Sequence, residues 1–153
     1  MWSSYLKQWE KAIATEYDTL RNTGMFEWVP SLPHGRKAVG SHFVFREKHN
    51  GNGNLVKHKA HIVAKGFLQV PREDFLETFS SMAKFTTLRM LLALIAHSDL
   101  KLHQVDVIGA YLQGSLDEEI YMEVPEGVRE EGKEGWYWKL KKPLYGLKQA
   151  GRQ

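Results

Sequence analysis

Residues 41–67 read SHFVFREKHNGNGNLVKHKAHIVAKGF, and this stretch predicts the most distinct structural unit of the chain. Its two arms, residues 41–48 and 55–67, alternate apolar and polar side chains as half-buried strands do. Between the arms, HNGNGN contains two Asn-Gly pairs, which are a strong signal for a hairpin turn. Period-two alternation places Val56, His58, Ala60 and Ile62 on one face of the second arm, and Lys57, Lys59, His61 and Val63 on the other. One side of the predicted hairpin is therefore a basic strip.

The segments around this hairpin predict an α+β fold. Apolar residues recur at helical spacing over residues 3–21, and Asn-Thr-Gly at 22–24 ends that helix. Residues 86–99 are apolar nearly all round, which predicts a buried helix opened by a threonine cap. Strands are predicted around Asp106 and at IYMEV and WYWKL, and YGLKQAGRQ resembles the start of a helix. This order of elements favours an antiparallel sheet with packed helices.

Composition limits the class of protein. The 153 residues correspond to one domain or to a piece of a larger one, and the absence of cysteine excludes disulfides and thiolate metal sites. The net charge is +3, with basic segments at 46–65 and 139–152 and an acidic segment at 117–134. The N-terminus has no apolar signal region, and the longest apolar run, MLLALIA, is too short to span a bilayer. We expect a soluble, intracellular (cytoplasmic or nuclear) and non-secreted chain.

The segment LHQVDVIGAYLQGSL, residues 102–116, places Asp106 in a run otherwise suited to a protein interior. A buried carboxylate without a partner costs several kcal/mol, so a compensating group is expected. An Arg or Lys, a set of backbone donors, or a divalent metal would each serve. Mg²⁺ prefers oxygen ligands, and the carbonyl of Val107 could join the carboxylate. The alternative is that Asp106 ends the strand, pairs with a lysine or caps a turn.

Four blocks in order, KHKAHIVAKGFLQV, ETFSSMAKFTTLRMLLALIA, LHQVDVIGAYLQGSLDEEIYMEVPEG and LKKPLYGLKQAGRQ, closely resemble the reverse transcriptase domain of copia-type long-terminal-repeat retrotransposons. The resemblance runs from about Trp9 to the last residue. It implies an RNA-directed DNA polymerase with an incomplete right-hand fold: a fingers hairpin plus the first part of an antiparallel palm sheet with packed helices. Residues 1–153 would form a single partial domain. The N-terminal helix, fingers and palm helix would lie within about 1–100, and the Asp106 strand and a truncated segment within 101–153.

The same resemblance implies roles for individual residues. Asp106 matches the first of three metal-binding aspartates, and Val107 matches the residue whose carbonyl helps to hold Mg²⁺. Tyr111 matches the aromatic steric gate beneath the incoming sugar, and Gln149 matches a glutamine that contacts the incoming nucleotide. The hairpin would bind triphosphate and template through Lys57, Lys59 and Lys65, and nucleic acid also through Lys48. The implied partners are an RNA template, a DNA primer or hybrid, dNTPs and the remainder of a retrotransposon polyprotein, with no membrane.

Departures from the family leave alternatives open. The family's other two aspartates are adjacent, and no Asp-Asp pair occurs in these 153 residues, so we expect the polypeptide alone to be inactive. His61 stands where the family usually has arginine, and Ile108 where it often has lysine. Without the resemblance, Tyr111 is a core aromatic and the hairpin lysines are a solvated face. The rival functions are a non-catalytic nucleic-acid-binding remnant of a polyprotein and a remnant that folds poorly.

Overall fold

A computed structural model describes residues 2–78, 80, 83–105, 110, 114–128 and 130–152. Over these residues the chain is a mixed α+β fold with two α-helices, a four-stranded sheet and a two-stranded sheet. Neither helix in this described part of the chain is long and apolar enough to cross a membrane. The predicted α+β class is therefore confirmed.

Helix α1, Trp2–Asn22, confirms the amphipathic helix predicted at the N-terminus. It ends at the predicted position because Gly24 has a positive φ of 63°, which glycine adopts without a steric penalty. The N–H groups of Gly24 and Met25 donate to the carbonyls of Arg21 and Leu20 at 3.0 and 3.1 Å. This is the Schellman arrangement, which satisfies the last carbonyls of the helix and turns the chain into the core.

Strands β3, Ser41–His49, and β4, Leu55–Ala64, form the predicted antiparallel hairpin, referred to below as the hairpin. Its turn is closed by Asn50, whose side-chain oxygen accepts the N–H groups of Asn52 and Asn54 at 3.0 and 2.9 Å. Gly53, with φ of 80°, supplies the positive φ that the turn needs. The two Asn-Gly pairs thus correctly predicted the turn, whereas the register includes a shift between Lys48 and His49 that the sequence did not predict.

The second sheet, the central sheet, has the strand order β1-β6-β5-β2. Strands β5, Ile120–Glu123, and β6, Tyr137–Leu140, were predicted, whereas β1, Phe26–Val29, and β2, Ala38–Val39, were not. The β1–β6 and β5–β6 pairs are antiparallel, as predicted. The short β2–β5 pair is parallel, which the sequence did not predict.

Trp138 on β6 lies at the centre of the core and is fully buried. Its ring stacks on Phe26 of β1 with 4.0 Å between centroids, and on Tyr17 of α1 with 6.0 Å. Ile62 of the hairpin belongs to the same buried cluster. One apolar core therefore joins α1, the hairpin and the central sheet, and it fixes the direction in which the hairpin faces.

Helix α2, Phe85–His97, corrects two predictions made for the apolar segment. It begins at Phe85 after Lys84, and no side-chain hydrogen bond caps it, so the predicted threonine cap is wrong. All thirteen of its residues are described, and none of them is buried. An apolar sequence indicates that a helix is suited to burial, but it does not show which residues would pack against it. The other described residues leave α2 exposed.

Two further segments differ from the sequence prediction. Residues 101–105 belong to no helix or strand of the described chain, and Val105 is 84% exposed. Residues 145–152 form successive turns and not the start of a helix. The reason is Gly146, whose φ of 91° is incompatible with a right-handed helix.

Candidate nucleic-acid interface

Four cations share one face of the hairpin, which we term the basic face. Lys48 lies directly opposite Lys57, and Arg46 directly opposite Lys59. Side chains opposite each other in an antiparallel pair project from the same face, and like charges in such positions repel. Among the residues that the structure describes, no carboxylate forms a salt bridge with any of the four. The basic face therefore lacks an internal counter-charge and suits an external polyanion.

Arg46 is the member of this face that sequence reasoning missed. It was counted as a basic residue but was not assigned to the site, because its position opposite Lys59 depends on the register of the hairpin. A register shift between Lys48 and His49 offsets the pairing beside the turn, so counting outward from HNGNGN does not pair Arg46 with Lys59. An arginine matters here because its planar guanidinium binds phosphate oxygens in a bidentate manner.

The opposite face of the hairpin is covered by α1. The Trp9 ring lies 4.4 Å from that of His58 and 5.1 Å from that of Phe45. The Tyr5 hydroxyl donates a hydrogen bond to Glu47 on the same face. The basic face lies on the other side, where Arg46, Lys48 and Lys57 are exposed and Lys59 is half-buried.

His61, which replaces the arginine usual in the family, is engaged by α1. Its Nδ1 lies 3.3 Å from Oε1 of Glu16, and the same oxygen accepts the backbone N–H of Ile62 at 3.3 Å. The imidazole is thus paired with a carboxylate of this chain. A ligand on the basic face gains less from His61 than from the four unpaired cations.

Lys65 lies at the base of the hairpin, apart from the basic face. Its backbone N–H donates to the carbonyl of Gly40, and that of Ala64 donates to Tyr145, both at 2.8 Å. A strand rises about 3.3 Å per residue, so Lys57 and Ala64 are roughly 23 Å apart along β4. The structure therefore brings Lys48, Lys57 and Lys59 together and places Lys65 elsewhere.

Gln149 is 1% exposed, and its side-chain amide is paired within the chain. Its Nε2 donates to the carbonyl of Asp74 at 2.8 Å, and its Oε1 accepts from Nε2 of Gln69 at 3.1 Å. Oε1 of Gln69 in turn accepts the N–H of Lys148 at 2.8 Å. In this conformation the amide of Gln149 is directed at its own chain, and a contact with a nucleotide would require it to leave these partners.

The basic segment at 139–152 differs from the basic face because acids neutralise part of it. Lys141 lies 2.7 Å from Glu27, and Lys139 pairs with Glu119. The hydrogen bond from Lys141 lowers the pKa of Glu27, and the bond from Lys139 lowers that of Glu119. The two basic segments look alike in the sequence. They differ in the structure, because Lys139 and Lys141 are paired with acids of the chain and the cations of the basic face are paired with no described acid.

Asp106, Val107 and Tyr111 lie outside the described residues, and their predicted roles remain predictions. Just before them, Leu100 and Leu102 are exposed. Within the described part of the chain, no group of three or more His, Asp or Glu side chains is placed to hold a metal ion.

Comparison with known proteins assigns the family. The family model for reverse transcriptase (RNA-dependent DNA polymerase) matches residues 25–153. The chain belongs to this reverse transcriptase family. The predicted resemblance to copia-type elements is confirmed, and membership of the family implies a requirement for Mg²⁺.

Three curated relatives are retrovirus-related Pol polyproteins of plant transposons. That from transposon TNT 1-94 of Nicotiana tabacum is 46% identical over 143 residues, which cover 94% of this chain and 11% of that protein. Those from transposons RE1 and RE2 of Arabidopsis thaliana are each 36% identical and cover 95% of this chain and 10% of theirs. The chain therefore spans about a tenth of the length of these relatives. No solved structure matches it.

Proposed function

We propose that this reverse transcriptase segment supplies the fingers and the first part of the palm of an RNA-directed DNA polymerase within a copia-type polyprotein. The observation that carries the proposal is the basic face, whose four cations have no acid partner among the described residues. A strip of unpaired cations gives sequence-independent affinity for a phosphate backbone. RNA template, DNA primer and dNTPs are the partners that the family suggests for it.

In this proposal residues 1–100 contribute the N-terminal helix, the fingers hairpin and the palm helix α2, and residues 101–153 begin with the palm strand that bears Asp106. The exposure of α2 supports the assignment, since a helix apolar on all sides is suited to the interior of a larger domain. The remaining palm elements would come from another part of the polyprotein. The relatives, which are about ten times longer, have ample length for them.

The reaction proposed for the complete domain is nucleotidyl transfer to a primer 3′-oxygen. When bound, Mg²⁺ activates that oxygen and stabilises the leaving pyrophosphate. In this chain the Asp106 carboxylate and the Val107 carbonyl would hold the ion, and Tyr111 would pack beneath the incoming sugar to disfavour a 2′-hydroxyl. Lys65 would neutralise the triphosphate, while Lys48, Lys57 and Lys59 would hold template and primer.

One carboxylate does not complete a two-metal site, so the 153-residue polypeptide is proposed to bind nucleic acid without extending a primer. In a longer polypeptide that includes the family's other two aspartates, we expect template-directed dNTP incorporation. Asp106→Asn should reduce it at least about 100-fold, because a neutral amide is a poor Mg²⁺ ligand. Tyr111→Ala serves as a contrast and should instead relax discrimination against ribonucleotides. Full activity in Asp106→Asn would contradict the metal role.

Binding by the basic face is tested on the 153-residue chain with an RNA–DNA hybrid at several salt concentrations. Each phosphate contact contributes about one unit to the slope of log K against log salt. The double variant Lys57→Ala/Lys59→Ala should therefore reduce that slope by about two units.

The matched control for this experiment is Lys139→Ala/Lys141→Ala. It removes the same charge from lysines already paired with Glu119 and Glu27, so we expect a smaller change in slope. Equal slopes for both double variants would show that net charge and not the basic face decides binding. No binding by the unmodified chain at low salt would remove the proposal for this face altogether.

A further inference from the structure

Two buried glutamines join segments that are far apart in the sequence. Gln69 follows the short 3-10 turn Gly66–Leu68, and Gln149 lies in the C-terminal turns. Among the described residues, the buried polar side chains are these two and His58. Buried amides need hydrogen-bond partners. Gln69 and Gln149 share one hydrogen bond, and the Lys148 N–H and the Asp74 carbonyl supply the other two.

Near this pair, the backbones of Gly66 and Gly146 pack so closely that neither position has room for a side chain. A Cβ atom added at Gly66 would lie 2.0 Å from the carbonyl oxygen of Gly146, and one added at Gly146 would lie 2.2 Å from that of Ala64. The two chain segments therefore touch through glycine backbone just before each glutamine. The backbone contact fixes the distance between the segments that contain Gly66 and Gly146. The hydrogen bonds of Gln69 and Gln149 are directional, so they fix the relative orientation of these segments.

The turn then connects Gln69 to Lys65. The N–H of Leu68 donates to the carbonyl of Lys65 at 2.9 Å, and the N–H of Gln69 donates to that of Gly66 at 3.1 Å. Anchoring Gln69 therefore limits the movement of Lys65. Lys65 and Gln149 are among the residues that the family resemblance places at the nucleotide. Gln69 follows Lys65 by four residues and is hydrogen-bonded to Gln149.

We infer that Gln69 and Gln149 form a buried amide pin and that Gln69 is a positioning residue for nucleotide binding. The pin holds Lys65 and the C-terminal turns in one fixed relation through Gln69, Gln149 and the carbonyl of Asp74. This inference rests on the proposed function for its consequence, since it assumes a triphosphate at Lys65. The pin itself is a property of the described contacts and can be measured separately.

The test compares Gln69→Met with Gln69→Glu in the 153-residue chain. Methionine has a similar length but makes no amide bonds. An ionised carboxylate can accept the N–H of Lys148 but cannot donate to Oε1 of Gln149. NMR follows the side-chain amide signals of Gln149, and titration with Mg²⁺ and dATP gives a dissociation constant. We expect both variants to shift the Gln149 signals and to weaken dATP binding about fivefold at pH 7.

The pH dependence separates positioning from a general loss of structure. A protonated carboxyl at position 69 regains a donor, so Gln69→Glu should recover the Gln149 signals and dATP affinity as the pH is lowered towards 5. Gln69→Met should not recover. Gln8→Met, at an exposed glutamine of α1, is the matched control and should change neither measurement.

The outcomes distinguish the inference from the proposed function. If the unmodified chain does not bind dATP but Gln69→Met shifts the Gln149 signals, the pin is supported and the nucleotide role fails. If Gln69→Met binds dATP as tightly as the unmodified chain or more tightly, Gln69 does not position the site and the inference is overturned. If Gln69→Met does not fold, absence of recovery in Gln69→Glu overturns it as well.

Discussion

The two helices differ in burial, and the difference is the opposite of what their compositions predict. Helix α1 carries many charged residues, yet it packs against the hairpin and central sheet, and its Leu20 is only 2% exposed. Helix α2 is apolar nearly all round, yet Leu91 is 51% exposed, and none of its residues, all of which are described, is buried. The difference is that elements of the described chain cover α1 and bury part of it, whereas they bury no residue of α2.

This contrast shows what apolar sequence does and does not specify. Apolar side chains define how much surface needs a cover, and their spacing defines which face needs it. Neither property identifies the partner. For α1 the partners are strands of the same chain. For α2 we propose that they belong to the rest of a palm.

The largest effect is expected when the same substitution, leucine to alanine, is made in each helix. Leu20→Ala should lower the free energy of unfolding by about 2–5 kcal/mol, because it opens a cavity in a packed core. Leu91→Ala should change it by less than about 0.5 kcal/mol, because the side chain is half exposed and alanine favours helix. Urea denaturation followed by circular dichroism measures both variants.

Equal losses in the two variants would break the comparison. Such a result would mean that α2 is covered in solution, for example by a second copy of the chain. Sedimentation at several concentrations would then detect self-association. In a longer polypeptide that completes the proposed palm, Leu91→Ala should instead approach the cost of Leu20→Ala.

A smaller effect on stability is expected from the hydrogen bond that joins α1 to Glu130. The Tyr17 hydroxyl donates to Glu130 at 2.7 Å. Burial is the largest cause that raises the pKa of Tyr17 to about 12, and this hydrogen bond is the second. A raised pKa in the folded state stabilises the chain below the unfolded pKa of 10.0, and this stability is lost as the pH rises towards 12. The unmodified chain should lose about 1–2 kcal/mol more than Tyr17→Phe across that window, after allowance for solvent screening.

Thermal melts between pH 9 and 12 measure this difference. Tyr137→Phe is the control, since no hydrogen bond of its hydroxyl to a described residue is observed. It should lose stability in parallel with the unmodified chain. If Tyr17→Phe also runs parallel to the unmodified chain, the bond to Glu130 does not hold α1 in place.

Local signals in the sequence were sufficient for α1, the hairpin, β5 and β6. The Asn-Gly turn, the period-two alternation and the glycine that ends α1 each act within a few residues. Strand β1 was missed because its four residues gain strand structure only by pairing with β6 from the other end of the chain. The C-terminal turns were mistaken for a helix because the positive φ of Gly146 reflects its contact with Ala64, a tertiary constraint.

The candidate site shows the same division between local and distant information. Alternation correctly placed Lys57 and Lys59 on one face, while Arg46 required the register. Gln149 was identified by resemblance, but nothing in the sequence predicted that Gln69 holds it. Asp106, Val107 and Tyr111 remain predictions that rest on the resemblance and on the apolar run around Asp106.

The central sheet also has a consequence for the order in which the chain folds. Its β1 strand, near the N-terminus, pairs with β6, near the C-terminus, so the sheet cannot close until almost the entire segment has left the ribosome. The hairpin is local and can form within about 1–10 μs of its synthesis. During translation the Arg46 and Lys59 pair can therefore assemble before Trp138 arrives, so that the nascent chain can present its cationic surface before it has a closed core.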